Sequence, residues 1–332
     1  MPKDSNTNPI SPEQAKDSFI ESKQHEYAES TLYSYNSRLS HFVEFCKIND
    51  IKHMEDIEHV HIDEYKSWRF TDHSTQTVKT QLDSIRMWME WCEKRRYVRD
   101  GISMVVESPN TRGSQRSSIV HKDRQEDILN YLNKYHYASI EHAVWTVLCH
   151  TGIRTGTLRG FDLSDFNHDD RILEAKHRPK SKTPLKNGSD GERILALSEK
   201  VATILSDYIN NNRMNTKDHG RDPLFTTKNG RISTSWTRQT VYKWSQPCRI
   251  DSCPHSKTPN ECEWMNRNSA SQCPSSEAPH AIRRGVITAL LTNVDRDVVG
   301  GRCDVSSKVM DDHYDMRSQE EKAEKRRQKL GL

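Results

Sequence analysis

A polar segment in the first half of the chain limits the possible folds more than any other feature. Residues 108–118 (Ser-Pro-Asn-Thr-Arg-Gly-Ser-Gln-Arg-Ser-Ser) contain turn formers and two arginines but almost no apolar side chain. Such a stretch is typical of a connection between domains. The 332 residues are enough for two separate cores. The sequence therefore predicts a first domain over residues 1–107, a linker over 108–121 and a second domain over 122–332.

The first domain is predicted to be helical. One helix begins near Pro12, Ser30 caps a second, and a long third helix spans Thr75 to Arg96. In the third helix, apolar side chains recur at three- and four-residue spacing and form one apolar stripe. The stripe consists of Val78, Leu82, Ile85, Met89 and Cys92.

The second domain is predicted to combine helices with a small sheet. A helix begins near Lys122, and the apolar segment Ile140–Cys149 forms a buried helix. Two short strands, Arg171–Ala175 and Glu192–Leu197, flank a polar turn, and helices resume from Glu199. The expected fold class is mainly α with a small antiparallel β-sheet (α+β).

Bulk properties exclude several classes of protein. The chain has no run of 18 apolar residues and a polar N-terminus, so we expect neither a membrane span nor a signal peptide. The expected location is the cytoplasm.

Positive charge is concentrated locally rather than globally. The formal net charge of +3 is a weak pointer to nucleic acid. Between Arg171 and Lys186, however, Glu174 is the single acidic residue among several bases, a balance that suits phosphates. The alternative is an ordinary solvated hairpin face. The basic residues are Arg171, Lys176, Arg178, Lys180, Lys182 and Lys186.

Three separated motifs supply the groups that a metal-independent attack on a phosphodiester requires. Arg154 ends the motif His-Thr-Gly-Ile-Arg, His280 and Arg283 form His-x-x-Arg, and Tyr314 follows near the C-terminus. Two guanidinium groups can bind the non-bridging oxygens of one phosphate, while a phenol supplies the nucleophile. His280 shares a helical face with Arg283 and can bind the same phosphate or move the tyrosyl proton.

The order of these motifs resembles the tyrosine recombinase (phage integrase) family. The segment from Asp304-Val-Ser to His313-Tyr314-Asp315 resembles the corresponding sequence of family members from archaea and their viruses or plasmids. The resemblance implies a site-specific recombinase, with an N-terminal core-binding domain and a C-terminal catalytic domain. It would cut and rejoin duplex DNA through a 3'-phosphotyrosyl link.

The resemblance also assigns further residues. In the first domain, Thr77, Lys79 and Arg86 are candidate phosphate contacts. The family's general acid is a lysine on the hairpin after the first arginine, and here Lys186 is the first choice with Lys182 in reserve.

Two positions depart from the family pattern. Thr157 stands where an acidic residue usually follows the first arginine, so the support for Arg154 must come from elsewhere. The usual Gly-His motif is absent, and Arg302 stands near its place as a further phosphate donor.

Partners and alternatives follow from the same resemblance. The expected partner is double-stranded DNA, bound by a tetramer in which the C-terminal segment Arg317–Leu332 docks onto a neighbour. No catalytic cofactor is expected, because the phosphotyrosyl link stores the bond energy. The alternatives are a type IB topoisomerase, a resolvase of dimers, or a non-catalytic zinc-containing DNA-binding regulator.

A cysteine-rich insert over residues 247–274 interrupts the second domain. The segment has few apolar side chains, so structural zinc is expected to supply folding energy, with His255 as a substitute ligand. The alternative is a flexible loop with free thiols. The expected ligands are Cys248, Cys253, Cys262 and Cys273. The remaining helical cysteines Cys46, Cys92 and Cys149 are expected in the cores.

Overall fold

The computed structural model describes residues 9–111 and 118–331 of the chain. Residues 9–111 belong to one compact unit, called here the first unit, and residues 118–331 to another, the second unit. Residues 112–117 of the predicted linker lie outside the described residues. The flanking residues 106–111 and 118–121 form neither helix nor strand.

The regular elements in the described part of the first unit are five α-helices and a 3₁₀ turn at Met54–Asp56. Ser11 caps the first helix and Ser74 the fourth. The expected cap at Ser30 is wrong: the cap is Ala28, and the second helix begins at Glu29, two residues earlier than expected. The helices are α1 (Pro12–Ser22), α2 (Glu29–Ile48), α3 (His59–Asp72), α4 (Thr75–Glu93) and α5 (Ile102–Val105).

The apolar stripe of α4 forms the centre of the first core, as predicted. All five stripe residues are fully buried, together with Trp88, Tyr65 and Phe42 from three helices. Burying each aliphatic side chain contributes about 1.5–3 kcal/mol. The helix ends at Glu93 rather than Arg96, because the chain turns there and Arg96 adopts a positive φ.

The second unit contains nine described helices and two small antiparallel sheets, which confirms the expected fold class. The helices are α6 (Lys122–Tyr135), α7 (Ile140–Thr151), α8 (Thr155–Gly160), α9 (Glu199–Asn211), α10 (Thr234–Ser245), α11 (Pro279–Asn293), α12 (Arg296–Cys303), α13 (Ser307–His313) and α14 (Gln319–Leu330). The strands are β1 (Phe166–Asn167), β2 (Ile172–Ala175), β3 (Arg193–Ala196), β4 (Thr226–Thr227) and β5 (Gly230–Arg231).

The predicted pair of strands is confirmed as β2 and β3, the larger part of a sheet with order β1-β2-β3. Leu173 pairs with Leu195, and both side chains are buried against the helical core. Residues 176–192 between these strands form a long loop, which carries the candidate lysines. The short hairpin of β4 and β5 is not apparent from the sequence pattern, because each strand has only two residues.

The insert over residues 247–274 contains short 3₁₀ turns separated by irregular chain. Within it, Ala270 and Cys273 are buried. The four turns are Pro247–Arg249, Pro259–Glu261, Glu263–Met265 and Ala270–Gln272.

None of the described helices has the length and apolar character needed to cross a membrane.

Candidate active site

Arg283 forms the centre of the candidate site. Its side chain projects from the first turns of α11 and is buried, with 2% of the residue exposed. Nη1 donates to the carbonyls of Gly152 at 2.6 Å and Cys303 at 2.7 Å, and Nη2 to the carbonyl of Asp304 at 3.4 Å. Nε donates to the phenol oxygen of Tyr314 at 3.1 Å. The C-terminal ends of α7 and α12 therefore fix the guanidinium in one orientation.

Gly152 allows this arrangement because it ends α7 with φ 63°. A Cβ at this position would lie 3.0 Å from Val286 and 3.3 Å from the sulfur of Cys303. A residue with a side chain would be strained in this left-handed conformation and would also collide with these neighbours. The turn directs one carbonyl at Arg283 and brings Arg154 to the N-terminus of α8 two residues later.

Tyr314 lies directly after α13 and is also buried, with 3% of the residue exposed. Its backbone is held by the hydroxyl of Thr288, which donates to the Tyr314 carbonyl at 2.6 Å. The Arg283 guanidinium carbon lies 5.0 Å from the centre of the tyrosine ring, and the His280 ring centre lies 5.3 Å away. The predicted nucleophile is thus in direct contact with two groups expected to bind the phosphate.

Arg154, His280 and Arg283 line one cleft of about 390 Å³. Helix α10 contributes Arg238 and Tyr242 to the same cleft, and Arg238 is exposed. A phosphate group in this cleft would meet several cationic donors at once. Tyr242, the tyrosine that precedes Tyr314 in the chain, is a second phenol at this surface.

The surroundings of His280 favour its neutral form. Its pKa is lowered to about 4 by partial burial of the ring and by the positive charges of Arg284, Arg283 and Arg154. The residue nevertheless keeps part of its surface open to solvent at the cleft. A neutral imidazole in this position can accept a proton from a phenol or donate a hydrogen bond to a phosphate oxygen.

Lys186 and Lys182 lie at different places in the β2–β3 loop, and both are exposed. Next to Lys186, the amide of Asn187 donates to Asp304 Oδ1 at 2.7 Å. The backbone carbonyl of Lys182 instead accepts from Arg159 at 2.6 Å. The structure therefore joins the Lys186 part of the loop to the residues that hold Arg283.

Arg302 is not among the residues that line the cleft. Its guanidinium donates to the carbonyls of Ala196 at 3.2 Å and His150 at 3.0 Å. The side chain thus connects β3 to the end of α7. The geometry gives no support to a catalytic role for Arg302, which stays a prediction.

The three residues of α4 proposed to contact phosphates differ in their surroundings. Thr77 is exposed, and Lys79 forms an ion pair with Asp83 at 2.8 Å. Arg86 donates to the carbonyl of Val106 at 2.8 Å, so it holds the segment that follows α5. Thr77 and Lys79 remain accessible candidates, whereas the present contacts of Arg86 are structural.

The four cysteines of the insert are close enough to interact electrostatically. Burial raises the pKa of the Cys248 thiol, and the nearby thiols of Cys253, Cys273 and Cys262 raise it further. His255 is hydrogen-bonded to Ser275 at 3.0 Å. Within residues 9–111 and 118–331, no three His, Cys, Asp or Glu side chains are arranged to hold a metal ion.

The helical cysteines follow the prediction. Cys46 and Cys92 are fully buried in the first core, and Cys149 is partly buried against the second.

Asp304 is the main residue of the site that no sequence motif predicts. Its carboxylate accepts from Arg154 Nη1 at 2.5 Å and from Asn187, and it lies 3.9 Å from Arg193 Nη1. The residue belongs to a segment whose only signal in the sequence is a resemblance to integrases from archaea and their viruses or plasmids. No local pattern reveals its partners, because Arg154 and Asp304 are 150 positions apart.

Residues 17–99 match the family model "Phage integrase, N-terminal SAM-like domain". A search of curated proteins found no match.

Two solved structures are similar over almost the whole chain. The Tn1549 transposon integrase, solved in complex with a circular intermediate DNA, covers 97% of this chain and 99% of its own, with 14% identity and a TM-score of 0.69. The lambda integrase dimer bound to a COC' core site covers 93% of this chain and 78% of its own, with 12% identity and a TM-score of 0.64. The chain therefore has the fold of the tyrosine recombinases, with a helical N-terminal unit.

Proposed function

We propose that this protein is a site-specific DNA recombinase that cuts and rejoins duplex DNA through a 3'-phosphotyrosyl intermediate. The observation that carries the proposal is the buried contact between Arg283 and Tyr314 beside a cleft lined by Arg154 and His280. The similarity to integrases solved with bound DNA supports the same function.

The proposed reaction begins with a phosphodiester in the cleft. Arg154 and Arg283 bind its non-bridging oxygens and stabilise the negative charge that grows during attack. The Tyr314 oxygen forms a bond to phosphorus, and neutral His280 accepts the phenol proton. The bond from phosphorus to the 5'-oxygen breaks, and that oxygen takes a proton from Lys186. Attack by a 5'-hydroxyl on the phosphotyrosine reverses these steps and rejoins the strand.

Lys186 is preferred to Lys182 as the general acid. Its neighbour Asn187 is hydrogen-bonded to Asp304, which also contacts both Arg154 and Arg283. The backbone contact of Lys182 with Arg159 ties that residue to the end of α8 instead.

Covalent capture of DNA tests the proposal. In nicked duplexes of randomised sequence, cleavage releases the short strand that carries the 5'-hydroxyl needed for rejoining. The wild-type protein should therefore accumulate a covalent adduct whose ends can be sequenced. Tyr314→Phe should form no adduct, while Tyr242→Phe, a change of the same kind in a residue lining the cleft, should still form it. Adduct formation by Tyr314→Phe would place the nucleophile elsewhere.

The alternatives predict different outcomes in the same assay. A non-catalytic regulator binds the duplexes and forms no adduct. A type IB topoisomerase relaxes a supercoiled plasmid that lacks the recovered sequence, whereas a recombinase requires that sequence. A resolvase of dimers shares the chemistry and is recognised by its preference for sites on one molecule.

We propose further that four protomers assemble on paired DNA sites through the C-terminal segment Arg317–Leu332. In the single chain, Lys325 Nζ donates to the carbonyls of Leu291 at 2.6 Å and Val294 at 2.7 Å. The C-terminal segment of one copy can make the same contacts with a neighbouring copy, because the same α11 surface exists on every copy. The mass of the protein on one site and on two paired sites, measured with and without residues 318–332, tests this assembly.

We also propose that the protein is cytoplasmic and belongs to the archaeal or archaeal-virus branch, on the basis of the sequence resemblance.

We propose that the insert binds structural zinc through Cys248, Cys253, Cys262 and Cys273. Their mutual proximity and the scarcity of buried apolar side chains in the insert support this proposal. Binding requires the thiols to turn towards a common point. Metal analysis should find about one zinc per chain, and Cys253→Ser should release it; protein purified without chelators that contains no zinc would contradict the proposal.

A further inference from the structure

We infer that Asp304 is a positioning residue that holds Arg154 and the Lys186 loop in their catalytic places. This inference rests on the proposed function and extends it to a residue that contacts no reacting atom. Three separate groups converge on Asp304, and two of them are proposed phosphate ligands.

The carboxylate of Asp304 makes two different connections. Oδ2 accepts from Arg154 Nη1 at 2.5 Å, which fixes the arginine at the N-terminus of α8. Oδ1 accepts from Asn187 Nδ2 at 2.7 Å, which fixes the loop next to Lys186. The side chain of Asp304 is 10% exposed and that of Arg154 is 25% exposed, so the ion pair is largely shielded from solvent.

The backbone of Asp304 makes the third connection. It caps α12 with φ 54°, a left-handed conformation that turns its carbonyl towards Arg283 Nη2 at 3.4 Å. Aspartate and asparagine adopt this conformation more readily than most residues. One residue therefore links both arginines, the first through its side chain and the second through its main chain.

Charge balance explains why a carboxylate is needed here. Burial lowers the pKa of Arg193, and the negative charge of Asp304 opposes this effect while Arg283 and Arg154 add to it. Without an anion, three guanidinium groups would repel one another before DNA arrives. Thr157, a buried residue of α8, offers no charge, and Asp304 supplies it from another element.

Two acceptors are required, which distinguishes aspartate from asparagine. Arg154 and Asn187 both donate to Asp304, one to each oxygen. An asparagine has a single acceptor oxygen and would present an amide to one of the two donors. It would keep the left-handed backbone, so Asp304→Asn removes the connections with little disturbance of the fold.

Single-turnover cleavage of the DNA recovered from wild-type adducts tests the inference. Asp304→Asn should cleave about a hundredfold more slowly, as expected when a catalytic group is displaced by about 1 Å. DNA affinity should be unchanged or higher, because a negative charge near the phosphate has been removed. Asp297→Asn, the same change at an exposed residue of α12, should cleave at the wild-type rate.

Asn187→Ala provides an independent readout that does not alter a buried group. Loss of the Asn187 amide should leave Lys186 without a fixed position and should not displace Arg154. Cleavage of an ordinary 5'-oxygen substrate should then slow, while cleavage of a 5'-bridging phosphorothiolate should stay near the wild-type rate, since a thiolate leaves without a proton. Asp304→Asn should remain slow on both substrates, because Arg154 is also displaced.

The outcomes separate this inference from the proposed function. Wild-type protein that forms no Tyr314 adduct overturns the recombinase itself. Wild-type protein that cleaves, together with Asp304→Asn that cleaves equally fast, overturns the role of Asp304. A uniform loss in Asn187→Ala that sulfur does not restore overturns the link to the Lys186 loop.

Discussion

Replacing Arg283 with lysine should reduce both the stability and the cleavage rate, because one side chain serves both. The guanidinium makes four hydrogen bonds from three nitrogens: two carbonyls at 2.6 and 2.7 Å, a third at 3.4 Å and the Tyr314 oxygen at 3.1 Å. A lysine ammonium is a single point and can keep at most the two short contacts. The contacts with Tyr314 and Asp304 would be lost.

The expected loss of stability follows from these two contacts. A hydrogen bond to a charged group contributes about 1.5–3 kcal/mol, and the 3.4 Å contact is expected to contribute less than the 3.1 Å one. The free energy of unfolding of the second unit should therefore fall by ~2–4 kcal/mol. For a unit of this size, the corresponding fall in Tm is roughly 4–16 °C.

Urea unfolding and single-turnover cleavage of the same preparation measure the two effects. The cleavage rate should fall by about 10²–10³-fold, as for the loss of a preorganised transition-state donor. Arg238→Lys is the matched control, because Arg238 is exposed in the same cleft and should leave the unfolding midpoint unchanged. An Arg283→Lys protein that unfolds at the wild-type urea concentration would refute the argument that the arginine is a core residue as well as a phosphate ligand.

Three further changes have defined outcomes. Lys186→Ala should slow cleavage of an ordinary substrate much more than that of a 5'-bridging phosphorothiolate; sulfur rescue of Lys182→Ala but not of Lys186→Ala would reverse the choice between these lysines. The pKa of His280 in the folded protein lies near 4, below its ordinary value of 6.5. As the pH falls from 6.5 to 4, His280 is therefore protonated in the unfolded chain before it is protonated in the folded one, and the free energy of unfolding should decrease over this interval. His280→Gln should reduce this acid sensitivity in urea unfolding at pH 7, 5.5 and 4, and an unchanged sensitivity would contradict the assignment. Leu82→Ala should destabilise the first unit by about 2–5 kcal/mol, whereas Leu330→Ala, at a residue 70% exposed, should leave the unfolding midpoint within error of the wild type.

The sequence was sufficient wherever structure depends on near neighbours. The spacing of Val78, Leu82 and Ile85 identified the buried face of α4, because helical geometry fixes which residues three and four positions apart share a face. The two strands β2 and β3 were likewise apparent from short apolar runs beside turn formers. Arg283 and Tyr314 were paired through the resemblance of their motifs to a known family, and the structure places them in contact.

Only the tertiary structure decided how distant residues share partners. Arg302, predicted near the phosphate from the resemblance, donates in the folded chain to carbonyls of β3 and α7. Asp304 stands two positions later and points to Arg154, across 150 residues of chain. A sequence records side-chain chemistry and local periodicity, whereas such a contact depends on where α12 and α8 meet in the packed unit. The support for Arg154, missing from its own helix at Thr157, therefore became visible only when the chain was folded.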